Sequence, residues 1–448
     1  MMPPSANHIQ RDDAADTTIA TLANGVRVVV FRLPHLATAA ASIFVRSGSQ
    51  HESARLNGIS HFLEHMAFQG TRTRDCQQIN LDAERLGAEV NAHTDKDHTA
   101  FHMRGLARDA EAFVRMLGDI VRNSTFPGAE IERERQVILQ EFAESEDEAM
   151  DTAFRQFDRA CFGNQALSRP VIGSRANIKR FTRDDLNAWV QRQYTGGNTV
   201  VGVAGNVDPE AIVAVAEDVF GDMASGSCNQ VDAPTHVGGI KVRRLAGYSQ
   251  THVVLGFPVP GLMGAYHPFV VAAALLGEGM SSPLLDQLRE RRGIVYHADC
   301  SADVRDIYGQ FVLEASTLPE HLGDFFAEVT RMLREHVSAT DAVGLERARN
   351  QIIVRSLRAR ESPEQRLELG ALDLFALGRI RSSEELIEGI VGVDAASVRD
   401  AFGRMLAAGA AVGMAGRIPK AADQRIAELI ARLTPNMATA AAAGSRVG

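Results

Sequence analysis

The run Gly58-Ile59-Ser60-His61-Phe62-Leu63-Glu64-His65-Met66-Ala67-Phe68 carries the residue types that metal-assisted hydrolysis needs. On a helix, positions i and i+4 share a face, so His61 and His65 can present two imidazoles to one ion, with Glu64 beside them as a base. A catalytic zinc generally takes three protein ligands and keeps one position for water, which calls for a third donor elsewhere. Glu141 is the candidate, in a stretch of helical spacing over 129–157, and Glu134 precedes it by two turns on nearly the same face. Most acids there, including Glu130, Glu132, Glu144 and Glu146, read as solvating a surface helix, so spacing alone does not select among them. His93, His98 and His102 fit no complete ligand set and read as solvated or hairpin histidines, outside the metal site.

Such groups must be positioned by sheet and helix. Two β-prone runs, 18–22 and 26–31, flank the turn dipeptide Asn24-Gly25 and predict a hairpin. Residues 58–68, 109–122 and 129–157 have helical spacing, while 89–92 and 99–103 read as strands joined by a polar turn. The chain also repeats itself. Val201-Gly202-Val203-Ala204-Gly205 matches Val412-Gly413-Met414-Ala415-Gly416, Leu106 and Phe113 match Leu318 and Phe325, and Ile131-Glu132-Arg133 with Arg135 matches Leu345-Glu346-Arg347 with Arg349. The expected fold class is therefore α+β: two similar domains from an internal duplication, each a mostly antiparallel sheet packed with helices. The expected boundaries are a disordered leader (1–17), an N-terminal zinc-binding domain (18–223), a Gly- and Pro-containing linker (224–239), a metal-free C-terminal homologue (240–433) and a disordered tail (434–448).

Composition limits the alternatives. The 448 residues are 45% apolar and 23% charged, ordinary for a folded globular chain of several domains. A net charge of -9 gives no general attraction to phosphate backbones, so nucleic acid is not expected as a partner. The longest uncharged apolar run, 405–416, falls short of the ~20 residues that span a bilayer. The amino end has no apolar export core, so a cytoplasmic location is expected, or a periplasmic one if a signal has been removed. Cys76, Cys161, Cys228 and Cys300 are too dispersed for a disulfide framework or an all-thiolate zinc site.

The segment HFLEH followed by Glu141 after 75 intervening residues resembles the inverted-motif zinc peptidases of the pitrilysin, or insulinase, family, in its bacterial and processing-peptidase branch. The resemblance extends from Leu22-Ala23-Asn24-Gly25 through Gly277-Glu278-Gly279-Met280-Ser281-Ser282 to Val412-Gly413-Met414-Ala415-Gly416. It implies that His61, His65 and Glu141 hold Zn2+, that Glu64 is the general base on a water held by the metal, and that Glu134 supports the site. Arg289 and Tyr296 resemble a family pair that faces substrate, and Val90-Asn91-Ala92-His93-Thr94 resembles a strand whose edge pairs with substrate backbone, Asn91 and Ala92 making contact. The implied activity is endopeptidase cleavage of peptides or unfolded segments in a closed chamber formed by a pair of chains, a homodimer or a heterodimer with a related subunit. The same fold also serves noncatalytic assembly or peptide-holding subunits, the alternative reading. In the second half Ala348 and Arg355 stand opposite Glu134 and Glu141, and Phe269-Val270-Val271-Ala272-Ala273-Ala274-Leu275-Leu276 stands opposite the HFLEH run.

Overall fold

Asn24-Gly25 turns the chain between two antiparallel strands, and the sheet they start carries the site. In the computed structural model, which describes residues 8–12, 16–419 and 428, seven strands form this sheet: β1 (His8–Asp12), β2 (Thr17–Thr21), β3 (Arg27–Arg32), β4 (Thr38–Val45), β5 (Glu89–Thr94), β6 (Thr99–Leu106) and β7 (Thr199–Gly205). Their spatial order is β1-β2-β3-β7-β4-β6-β5, which leaves β5 on an outer edge. A second sheet contains β8 (Gly239–Arg244), β9 (Thr251–Val259), β10 (Val295–Val304), β11 (Gly309–Thr317) and β12 (Ala411–Gly416), in the order β10-β11-β9-β12-β8. The order β3-β7-β4-β6-β5 in the first sheet and β8-β12-β9-β11-β10 in the second are one topology. Each has a single parallel pair, β3 with β7 and β8 with β12, and is otherwise antiparallel. The duplicated Val-Gly-x-Ala-Gly runs are β7 and β12.

Strand alternation sorts each sheet's side chains between two faces. Along β4, Ala39, Ala41, Ile43 and Val45 join one core with Phe113, Leu117 and Phe220 from the helices Ala110–Asn123 and Pro209–Phe220. Ala40 and Phe44 point the other way, toward Leu367, Ala371, Leu374 and Phe375 of the helix Pro363–Leu377. In the second sheet, Val254, Val312, Ala411 and Ala415 pack on Ala153, Phe157 and Cys161 of the helix Ala149–Phe162.

The compact units are accordingly discontinuous. One comprises residues 1–142, 169–231 and 358–382; the other comprises 143–168, 232–357 and 383–448. The contiguous halves read from the sequence do not anticipate this exchange of one helical segment each. Glycine makes the exchanged helix fit: a Cβ on Gly413 would meet the backbone of Ala153 and Phe157, and one on Gly202 would lie 2.8 Å from Leu367 Cδ2. The helical spacing over 129–157 also divides, into Gly128–Asp147 and Ala149–Phe162, where Glu148 adopts an extended backbone. At the amino end, residues 8–12 of the expected disordered leader pair with β2 as an antiparallel strand. The expected C-terminal tail, 434–448, lies outside the described residues.

Candidate metal centre

The helix Ile59–Ala67 buries Ile59, Phe62, Leu63 and Met66 against Phe181, Leu186 and Trp189, and this apolar stripe leaves His61, Glu64 and His65 on the opposite, partly open face. Its start is fixed by two features that no local pattern announces. Gly58 sits at φ +98, where a Cβ would run into Ile172 O and Gly173 Cα at 2.7 and 2.8 Å. The buried carboxylate of Glu52 accepts hydrogen bonds from Gly58 N (2.8 Å), Ser60 N (2.9 Å) and Asn57 Nδ2 (3.0 Å). An acid at a helix N-terminus satisfies free amides and complements the dipole, although burial pushes the Glu52 carboxyl above its ordinary range against these hydrogen bonds.

The helix Gly128–Asp147 supplies the acids. Ile131 and Ile138 pack into the same core as Phe62 and Met66, and this contact turns Glu134 and Glu141 toward the imidazoles. Glu141 Oε1 lies 3.5 Å from His61 Nε2, and its Oε2 lies 3.4 Å from His65 Nε2. On its other side, His65 Nδ1 lies 3.1 Å from Glu134 Oε2. Glu134 is buried and meets the cluster at His65, where a proton shared on Nδ1 would leave the Nε2 lone pair for a metal ion. Burial works to lower the His65 pKa, but the hydrogen bonds with Glu141 and then Glu134 outweigh it and raise the pKa. Hydrogen bonds from His61 and then His65 hold the Glu141 carboxyl far below the usual carboxylate range.

This donor set fits zinc. Two imidazole nitrogens and a carboxylate on one side of an ion match its preferred ligands, and a tetrahedral ion with bonds of about 2.0–2.1 Å separates its ligand atoms by about 3.3–3.4 Å, close to the spacings here. Three carboxylates, Glu64, Glu134 and Glu141, crowd two imidazoles, a negative excess that a divalent cation offsets. Glu64 does not join the ligands; its Oε2 accepts a 2.6 Å hydrogen bond from Thr94 Oγ1 of β5. Sequence reasoning misses Thr94, although strand period puts it on the face of Ala92, which is among the expected substrate contacts.

The remaining anticipated residues fall into two places. Asn91 and Ala92 lie on edge strand β5, Ala92 buried and Asn91 exposed with its Oδ1 accepting from Ala92 N at 2.8 Å. Arg289 and Tyr296 belong to the other unit, Arg289 in the short π-helical segment Asp286–Arg291 beside Glu290 and Tyr296 largely exposed at the start of β10. Of the three histidines read as solvated or hairpin residues, His98 is completely buried and lies with His93 and Glu368 in a second compact cluster.

A duplicated sheet with an HxxEH helix and an acid from the helix Gly128–Asp147 defines a class of metallopeptidase scaffold. Residues 27–175 match the model of the family described as Insulinase (Peptidase family M16), and residues 180–352 match that of Peptidase M16 inactive domain. An uncharacterized zinc protease of Rickettsia felis is 31% identical over 380 residues, covering 84% of this chain and 92% of that protein. The mitochondrial-processing peptidase subunit beta of Blastocladiella emersonii is 34% identical over 263 residues, 58% of this chain and 57% of that one. Among solved structures, a protease from Helicobacter pylori superposes with a TM-score of 0.81 at 18% identity, covering 89% of this chain and 99% of its own, a likeness of fold. The chain belongs to the insulinase family of peptidases. Among the described residues, no helix is long and apolar enough to cross a membrane.

Proposed function

We propose that this chain is a zinc-dependent endopeptidase that hydrolyses peptides or unfolded segments held extended in a closed chamber, with His61, His65 and Glu141 as the metal ligands and Glu64 as the general base. The observation that carries this reading is the convergence of two imidazoles one helical turn apart and a carboxylate from a separate helix, which lies 3.5 and 3.4 Å from the two ring nitrogens, all three ligand atoms being within 4.8 Å of one another. Zinc held there would polarise a scissile carbonyl and bring the pKa of water down to about 7. Glu64 has one oxygen fixed by Thr94 and the other free to take a proton, which the same carboxyl returns to the leaving amine.

Substrate handling follows from the edge position of β5. Among the described residues its outer backbone groups have no partner strand in the sheet, so an extended peptide can add there through main-chain hydrogen bonds, past Asn91 and Ala92, with weak dependence on sequence. Arg289 and Tyr296 supply a guanidinium and a phenol suited to the oxyanion and the substrate backbone. The working unit is a pair of chains, a homodimer or a heterodimer with a related subunit. The test is a digest of a mixed quenched-peptide library, read by mass spectrometry on protein whose zinc content is measured in the same sample. Internal cleavage by the zinc-loaded protein is expected; a zinc-loaded protein that cuts nothing would instead establish the noncatalytic, peptide-holding alternative.

A further inference from the structure

On the face of β5 and β6 opposite the Glu64 helix, three side chains meet that belong to no part of the proposed centre. His93 Nε2 and His98 Nε2 lie 3.3 Å apart, His93 Nε2 is 3.4 Å from Glu368 Oε1, and His98 Nε2 is 3.3 Å from the same oxygen. The two histidines come from the end of β5 and the turn into β6, and Glu368 from the exchanged helix Pro363–Leu377. We infer that His93, His98 and Glu368 form a second divalent-metal site, of the zinc class, that clamps the β5–β6 hairpin to this helix.

Geometry is the first support. The triangle is nearly equilateral, with edges at the value of about 3.3–3.4 Å that a tetrahedral ion with bonds of about 2.0–2.1 Å imposes on its ligands. Each imidazole nitrogen can donate to Glu368 Oε1, but that leaves the two ring nitrogens facing each other at 3.3 Å, a contact that a shared cation relieves. The surroundings are the second support. Asp97 Oδ1 lies 2.8 Å from His98 Nδ1, the carboxylate–imidazole relay that fixes the tautomer of a metal-bound histidine and directs the other nitrogen's lone pair at the ion. His98 is fully buried beside Phe44, a rigid ligand, whereas the side chains of His93 and Glu368 are 38% and 36% exposed, which gives an ion a way in and leaves room for a water as fourth ligand. The His102 ring lies tilted beside that of His93, with centroids 5.6 Å apart, and is not among the three.

The rival is a metal-free ion pair. Burial opposes charge on His98, but Asp97 and then Glu368 outweigh it and push its pKa up to about 10, so without an ion the cluster keeps a proton that the metal would displace. The site also has a route to the chemistry. His93 and Thr94 are neighbours pointing to opposite faces of β5, and Thr94 holds Glu64, so a metal at His93 would steady both the peptide-pairing edge and the proposed base.

The two metal assignments separate by stoichiometry. Full-length protein is stripped with chelator, reloaded with Zn2+, passed through a desalting column and measured for zinc per chain, with circular dichroism as the check on folding. Wild type should bind two equivalents. Glu368→Ala and, independently, His93→Ala should each lose one, and Glu141→Ala should lose the other. Asp97→Asn should keep both but weaken one about 10–100-fold. A wild-type value of one that Glu141→Ala abolishes, and that Glu368→Ala and His93→Ala leave unchanged, would overturn this second site. A value of one lost in Glu368→Ala but kept in Glu141→Ala would instead overturn the first centre and leave the second standing. Because His93 and Glu368 are partly exposed, at least one of the two variants is expected to fold.

Discussion

The helix pair Ile59–Ala67 and Gly128–Asp147 has a counterpart in the other unit, His267–Gly277 and Ala342–Glu361, and the two pairs differ where chemistry is at stake. Ile131-Glu132-Arg133-Glu134-Arg135 lies opposite Leu345-Glu346-Arg347-Ala348-Arg349. The apolar positions pack alike, Ile131 and Ile138 being buried in one unit and Leu345 and Ile352 in the other. The arginines correspond too, Arg135 donating to the carbonyls of Ile178 and Phe181 as Arg349 donates to that of Val393. The acids do not persist. Ala348 is simply buried in place of Glu134, and Arg355, in place of Glu141, pairs with Glu278 at 2.6 Å. In the second unit Arg347 donates to Leu275 O at 2.7 Å and to Glu278 O, so a cation sits at the C-terminal end of the first helix, where the dipole favours it. Packing and arginine caps thus recur in both units, and the acids of the proposed centre occupy positions the scaffold does not need.

If that division is right, Glu64→Gln should lower peptide hydrolysis by about 10²–10⁴-fold while zinc content and unfolding midpoint stay at wild-type values; undiminished turnover would place the base elsewhere. The exchanged helices test whether both units obey one packing rule. Gly413→Ala should cost more than about 3 kcal/mol in urea unfolding, because backbone of Ala153 and Phe157 blocks the new methyl, whereas Gly202→Ala meets only the tip of Leu367 and should cost about 1–3 kcal/mol. Equal costs would break the packing account. Arg135→Ala and Arg349→Ala should each lose about 1.5–3 kcal/mol of stability, the worth of a charged hydrogen bond, and a null result at Arg349 would remove the shared scaffold role. Glu134→Gln should weaken zinc binding about 10–100-fold by chelator competition with little change in stability, since this acid acts through His65.

Much of this is legible from residues alone. Asn24-Gly25 marks its hairpin, helical spacing locates both site helices, and the Val-Gly-x-Ala-Gly repeat reveals the duplication. What escapes is non-local. Glu52 caps the HFLEH helix from outside any capping pattern, and the helix break at Glu148 is invisible to periodicity because both halves keep helical spacing. His93 and His98 look like spare hairpin histidines because their third partner, Glu368, lies in the other half of the sequence.

The sequence by itself determined which faces the helices present, since a 3.6-residue period fixes His61 against His65 and Glu134 against Glu141 whatever surrounds them. Only the tertiary structure decided which faces meet. The direction in which one helix faces another depends on the packing of Ile131, Ile138, Phe62 and Trp189, and the exchange of the Glu368 helix depends on glycines that admit close approach. Such contacts are summed over many weak interactions among distant residues, so no local window of the chain contains them.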